Sequence, residues 1–188
     1  MRINVIFLLF FLFSCSEEYT PKPRGFFKLE LPNKNYQTFN EDCPFTFQYP
    51  SYSMLKKDHN TLLTNNCYMN IDFLALQGTL FVTYLPVSDN LREHIDQSMD
   101  LAYKHDLKAD AISEQIFVNH EKKVYALLYD YEGVTATAIQ FYITDSSSHF
   151  FRGSFYFNTE ITDSILPLNL FIKEDVKYLI ESFNWKNI

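Results

Sequence analysis

The sequence predicts an α+β fold, one antiparallel β-sheet of about 6–8 strands with two main α-helices packed on it. Three observations carry that expectation. Apolar and polar residues alternate with period two through about eight short stretches, the pattern of strands with one buried face. In two longer stretches the period changes to that of an amphipathic helix. The composition supplies the core: among 188 residues there are 19 Phe and 13 Tyr against 4 Gly, and 47% of the chain is hydrophobic. Such a chain can bury one sizeable core, and its length suits one domain. Disordered and low-complexity organisations are excluded. The 23 acidic residues outnumber the 16 basic ones, for a net charge of −7. A nucleic-acid partner held through phosphate contacts is therefore not expected.

Taken in order, residues 1–14 read as a signal peptide. Met1-Arg2-Ile3-Asn4 carries a positive charge, and Val5 to Phe13 is an unbroken apolar run. Crossing a bilayer core takes about 20 apolar residues, so this shorter run fits the h-region of a cleaved leader. Leu12-Phe13-Ser14-Cys15 then resembles the lipobox of bacterial lipoproteins. That resemblance implies cleavage before Cys15, with acylation of its sulfur and of the new amine, and makes Cys15 the expected lipidation site. The alternative is an ordinary secretory leader whose cysteine pairs with another. Each acyl chain contributes about 0.8 kcal/mol per buried CH₂, so three hold a protein at a membrane almost permanently. Loss of Arg2 with the leader leaves the mature chain one charge more negative. Residues 15–25 form a lipidated polar tether bearing Pro21, Pro23, Arg24 and Gly25, and 26–188 form a single globular domain. Ser16, not Asp, follows the cysteine, which favours the outer membrane. Ser16-Glu17-Glu18 resembles a short acidic surface-export signal, so the periplasmic face and the cell surface both stay open.

Within the globular part, Phe27, Leu29 and Leu31 alternate with Lys28 and Glu30, and Phe45, Phe47 and Tyr49 repeat the pattern up to Pro50. Met69, Ile71 and Phe73 make a third strand, and Leu80, Val82 and Tyr84 a fourth, ended by Pro86. Leu91, Ile95, Met99 and Ala102 then mark a helix stripe, with Asn90 and Glu93 in the spacing of a capping box. Strand periodicity returns in Gln115–Val118, Val124–Asp130, Val134–Thr144 and His149–Phe157. Their short connections predict an antiparallel meander. Leu168, Ile172, Val176, Leu179, Ile180 and Phe183 form the second helix stripe, with Pro167 near its start. Trp185 is expected to pack on the sheet. At the level of fold alone, the order of elements is similar to a Mog1/PsbP-like α/β/α sandwich.

Candidate chemistry is thin. With Cys15 lipidated, Cys43 and Cys67 remain as an even pair suited to an oxidising compartment. A bridge would close a loop of about 25 residues and contribute about 3 kcal/mol in the chain-entropy model; two buried thiols are the alternative. There is no Cys-x-x-Cys, His-Glu-x-x-His, Gly-x-Ser-x-Gly or phosphate-binding glycine loop, so neither a metal site nor a cofactor is expected. Thr144 to His149 offers serine, aspartate and histidine within one short turn. Members of a catalytic triad come from separate elements, so this segment reads as a polar turn, and no catalytic residue is assigned. His94, His105, Lys104 and Lys108 are expected on the solvated face of the first helix, and Asp58-His59 in a polar loop. Arg152 sits among aromatic residues on a strand, and Gly153 beside it predicts a bulge or a close backbone approach. Arg24, His149 and Arg152 are the residues singled out for contact with a partner, although Arg152 can equally belong to the fold.

The strings CSEEYTPKPRGFFKLELP, CPFTFQYPSY, ITDSSSHFFRGSFYFN and DSILPLNLFIKEDVKYLIESFNW together resemble the GldD-type gliding motility lipoproteins. The resemblance runs from Cys15 to Trp185 and rests on irregular strings in consistent order. It implies a cell-envelope lipoprotein required for surface gliding in Gram-negative bacteria, in machinery tied to type IX secretion, and only Cys15 transfers as a functional position. The expected role is non-catalytic: support of the assembly or stability of that machinery, with other gliding and secretion envelope proteins as partners. The alternative is a surface-exposed binding module for glycans or peptides, with exposed Tyr and Phe on one sheet face.

Overall fold

Alternation of apolar residues dictates most of the strands, and the computed structural model, which describes residues 30–57, 67–104, 109–133, 135–159 and 166–186, shows where their buried faces go. Ten strands and two helices are described. They are β1 (Tyr36–Phe39), β2 (Phe45–Pro50), β3 (Met54–Lys57), β4 (Met69–Phe73), β5 (Gly78–Pro86), α1 (Leu91–Tyr103), β6 (Ala111–Asn119), β7 (Val124–Glu132), β8 (Thr137–Thr144), β9 (His149–Phe157), α2 (Leu166–Ser182) and β10 (Asn184–Trp185). A 3₁₀ turn, Leu74–Leu76, links β4 to β5. All strand pairings are antiparallel. Seven strands form the main sheet in the order β3-β4-β5-β9-β8-β7-β6, and three form a second sheet in the order β1-β2-β10.

The expected α+β class and meander are present, and the main sheet has the expected number of strands. The small second sheet is the departure. Of its strands, β1 is too short and polar to announce itself, and β10 is two residues long. In the expected first strand, Phe27 and Leu29 lie outside the described residues, and Leu31 is not in a strand. The Asn90 cap does not form either: its side-chain oxygen accepts from the Ser88 amide at 2.9 Å and makes no bond to the helix.

The period-two pattern gives the main sheet two different faces. On one, Ile71, Leu80, Phe141, Ile143, Phe151 and Phe155 join Ile172, Val176, Leu179 and Ile180 of α2 and Phe45 and Phe47 of β2 in one cluster. The other face carries a smaller cluster in which Ala102 of α1 meets Tyr129 and Tyr131. The layers are therefore α1, the seven-stranded sheet, then α2 beside the small sheet. Phenylalanines knit the second and third layers together. Phe151 meets the ring of Phe45 edge-on at 4.9 Å and that of Phe183 at 5.0 Å, and such pairs contribute about 0.5–1.5 kcal/mol beyond the area they bury. Gly153 belongs to the same packing, but neither as a bulge nor as a backbone approach. It pairs directly with Phe141 on β8, whose ring lies over it where a Cβ would sit. The irregularity in that pair of strands falls between Thr137 and Ile139 instead.

Candidate functional site

Strand β9 carries two of the residues singled out for partner contact, and its alternation separates them. Odd-numbered residues from His149 to Phe157 face α2, and Phe150, Arg152, Ser154 and Tyr156 face α1. Their contacts agree: Phe151 and Phe155 lie in the large cluster, while the Phe150 ring meets the ring of His94 on α1 at 5.4 Å. His149 and Arg152 thus belong to opposite faces and do not form one patch. Cys15 and Arg24 lie outside the described residues, as do Asp58, His59, His105 and Lys108.

His149 is held by the fold's own aromatics. Its Nδ1 is 2.7 Å from the Tyr84 hydroxyl, and its ring stacks on Trp185 with 5.0 Å between centroids. The preceding turn is organised by Asp145, whose Oδ1 accepts the amides of Ser147, Ser148 and His149 at 2.9–3.0 Å. Its Oδ2 accepts the Ser147 hydroxyl at 2.9 Å. Burial pushes the Asp145 carboxyl up, but these four hydrogen bonds outweigh it and hold the group below the usual range. Ser146 completes the turn at φ +69°. Serine, aspartate and histidine therefore occur here as a capped turn. The histidine bonds a tyrosine and not a serine, so the nucleophile–base contact of acyl transfer is not formed.

Arg152 lies on the other face, half-buried. One terminal nitrogen donates to the Gln140 side-chain oxygen at 2.9 Å. Burial lowers the guanidinium from its ordinary value, and the phenols of Tyr156 and Tyr131 act in the opposite sense. Among the described residues no carboxylate forms an ion pair with it. His94, expected on the solvated face of α1, is turned toward the sheet, because Phe150 draws its ring inward.

Cys43 and Cys67 are joined in a disulfide, their Cα atoms 5.8 Å apart. The bridge connects the β1–β2 loop of the small sheet to the residues leading into β4 of the main sheet. Among the described residues, no group of three or more His, Cys, Asp or Glu is placed to hold a metal ion. None of their helices is long and apolar enough to cross a membrane.

Two buried charges on α2 escaped the sequence. Asp175 accepts the Tyr36 hydroxyl at 2.7 Å, bonds that of Tyr52, and pairs with Lys34 at 3.2 Å. Lys34 also donates to the Phe171 carbonyl at 3.1 Å and lies over the Phe171 ring. On the other side of the helix, Lys173 donates to the Tyr131 carbonyl at 2.7 Å and pairs with Asp130. The signal was present: Asp175 follows Ile172 by three residues and precedes Leu179 by four, which puts a charge inside the apolar stripe.

Residues 16–185 match the family model of the gliding motility lipoprotein GldD. The chain belongs to the GldD family. The match begins one residue after Cys15 and covers both sheets and both helices. Membership makes the protein a gliding motility lipoprotein, anchored at a membrane of the cell envelope, in a family not known for enzymatic activity. Among curated proteins, none matches the chain.

Proposed function

We propose that this GldD lipoprotein is a non-catalytic envelope subunit, held at the outer membrane by acylated Cys15, that supports the assembly or stability of the gliding machinery and its associated type IX secretion apparatus. The observation that carries this reading is the family match starting directly after a lipobox cysteine. The capped Ser/Asp/His turn adds weight, since the one segment rich in catalytic residue types is committed to its own backbone. Contacts with other gliding and secretion proteins are assigned to Arg24 on the tether and to His149 and Arg152, which offer two separate faces. A second reading, a surface-exposed module binding glycans or peptides, is favoured by Phe81. That ring is exposed on the α1 face of the sheet and meets Tyr156 edge-on at 6.1 Å.

The test is complementation of a deletion strain with wild-type or Cys15→Ala protein, read by colony spreading and by crosslinking of neighbours in the envelope. The lipidated protein should restore spreading and crosslink to motility or secretion proteins, and the soluble variant should do neither. Full gliding with Cys15→Ala would sink the anchored-subunit reading. Cleavage by protease on intact cells, with no such neighbours, would favour the surface module.

A further inference from the structure

Between α1 and the face of β5 and β9 beneath it lies a cavity of about 250 Å³. Thr83, His94, Gln97 and Arg152 give it a polar lining, and Leu85 and Phe150 an apolar wall. Two independent observations single it out. First, Arg152 has its guanidinium partly withdrawn from water and bonded to the neutral amide of Gln140, with no ion-pair partner among the described residues. Withdrawing a cation from water is costly unless an anion meets it, and a neutral amide compensates only in part. Second, a residue of its lining carries a buried polar atom without a partner. The Nε2 of His94 on α1 is shut off from water with no hydrogen-bond partner among the described residues. Buried polar atoms are almost always hydrogen-bonded in native proteins.

We propose that this cavity binds a small organic carboxylate, its charged end paired with Arg152 and its short apolar part against Leu85 and Phe150. A guanidinium has five N–H donors in a planar fork. Gln140, itself only 2% exposed, takes one and fixes the plane, which leaves donors suited to the two oxygens of a carboxylate. The apolar wall selects an organic acid over bare phosphate. The size sets an upper limit, since sites for drug-sized ligands run from about 300 to 1,000 Å³. Capture is local, because a chain whose acidic residues outnumber its basic ones gives no long-range attraction for anions. The proposal gives Arg152 a small ligand in place of the protein contact assigned to it above, leaves the rest of the assembly role untouched, and holds for a lipoprotein on either face of the membrane.

The experiment uses the mature lipoprotein in detergent micelles, titrated calorimetrically with acetate, butyrate, 3-phenylpropionate and inorganic phosphate, with 3-phenylpropionamide as the uncharged control. Ligands this small bind at millimolar strength or somewhat tighter. The expected result is saturable binding of butyrate or 3-phenylpropionate at least tenfold tighter than the amide. Arg152→Met should abolish it, and His94→Phe should weaken it severalfold. Should Arg152→Met fail to fold, Gln97→Leu with His94→Phe gives the same reading from the helix side of the cavity. Amide binding as tight as the acid, phosphate binding tighter than either acid, or acid binding untouched by the variants would overturn the proposal. So would the absence of saturation by any acid up to about 10 mM.

Discussion

Asp145 shows how a residue type associated with catalysis can be used up by local structure. Its carboxylate is the acceptor for three consecutive backbone amides and one hydroxyl, an arrangement that fixes the β8–β9 turn and the start of the strand bearing His149. Hydrogen bonds to a charged acceptor contribute about 1.5–3 kcal/mol, so Asp145→Ala should destabilise the domain by about 2 kcal/mol near neutral pH. The pH dependence has a definite sign. An unfolded aspartate titrates near 3.9, and the folded group titrates lower. The contribution is therefore complete above the unfolded value and is lost as the pH falls through the folded one. Urea melts of wild type and Asp145→Ala should show a gap that is widest near pH 7 and narrows steadily toward acid. A gap independent of pH would mean that the turn does not depend on the ionised carboxylate.

The same contrast between pattern and context operates on whole elements, most clearly in α2. Leu168, Ile172, Val176, Leu179 and Ile180 announce this helix by spacing alone, and the structure buries that stripe against β2 and β8. The stripe includes Asp175 but does not reveal what answers its charge. Its partners Lys34, Tyr36 and Tyr52 lie more than 100 residues away in sequence, and no local period encodes a contact of that range. For the same reason β1 and β3 were illegible: each buries too few side chains to leave an alternation, and pairing with β2 or β4 makes it a strand. The candidate site was legible only in part. Arg152 and His149 stood out as residues, and strand alternation alone puts them on opposite faces, but what each face meets depends on the helices and strands that pack above and below β9. Burial first, and then the bond to Asp175, raise the phenols of Tyr36 and Tyr52 well above their ordinary range. This pins both tyrosines as neutral donors to one carboxylate. Replacing Asp175 with Leu would leave two phenol hydroxyls facing an apolar side chain, while Lys34 keeps Glu174 at 2.7 Å. A buried donor left without its partner costs about 1–3 kcal/mol, so the loss should be about 2–4 kcal/mol. Asp175→Asn, which keeps shape and one acceptor, should cost less. Chemical denaturation checks the order, and hydrogen exchange should show β1 loosening before β7. A cost below about 1 kcal/mol for Asp175→Leu would mean that packing alone holds α2 to the small sheet.

At the scale of the molecule, the small sheet is joined to the main body by means of different kinds. Rings of Phe45, Phe47, Phe151 and Phe183 interlock, α2 contacts both sheets, and the Cys43–Cys67 disulfide ties the β1–β2 loop to the approach to β4. The first two depend on the native packing, whereas the third also restrains the unfolded chain. Closing a loop across a sequence separation of 24 is worth about 3 kcal/mol in the chain-entropy model. In a domain of this size about 1 kcal/mol moves the melting temperature by about 2–4 °C. Calorimetry of the oxidised protein against a Cys43→Ala/Cys67→Ala variant should therefore show a loss of about 6–12 °C. The folded variant should keep the same strand order, because both sulfurs sit in a core that already buries their neighbours Phe45 and Met69. The bridge also reports on compartment, since such pairs persist where the surroundings are oxidising. In protein taken directly from the envelope, both cysteines should resist alkylation until a reductant is added. Complete alkylation without reductant, with an unchanged melting temperature in the double variant, would show that the two sheets are held by packing alone.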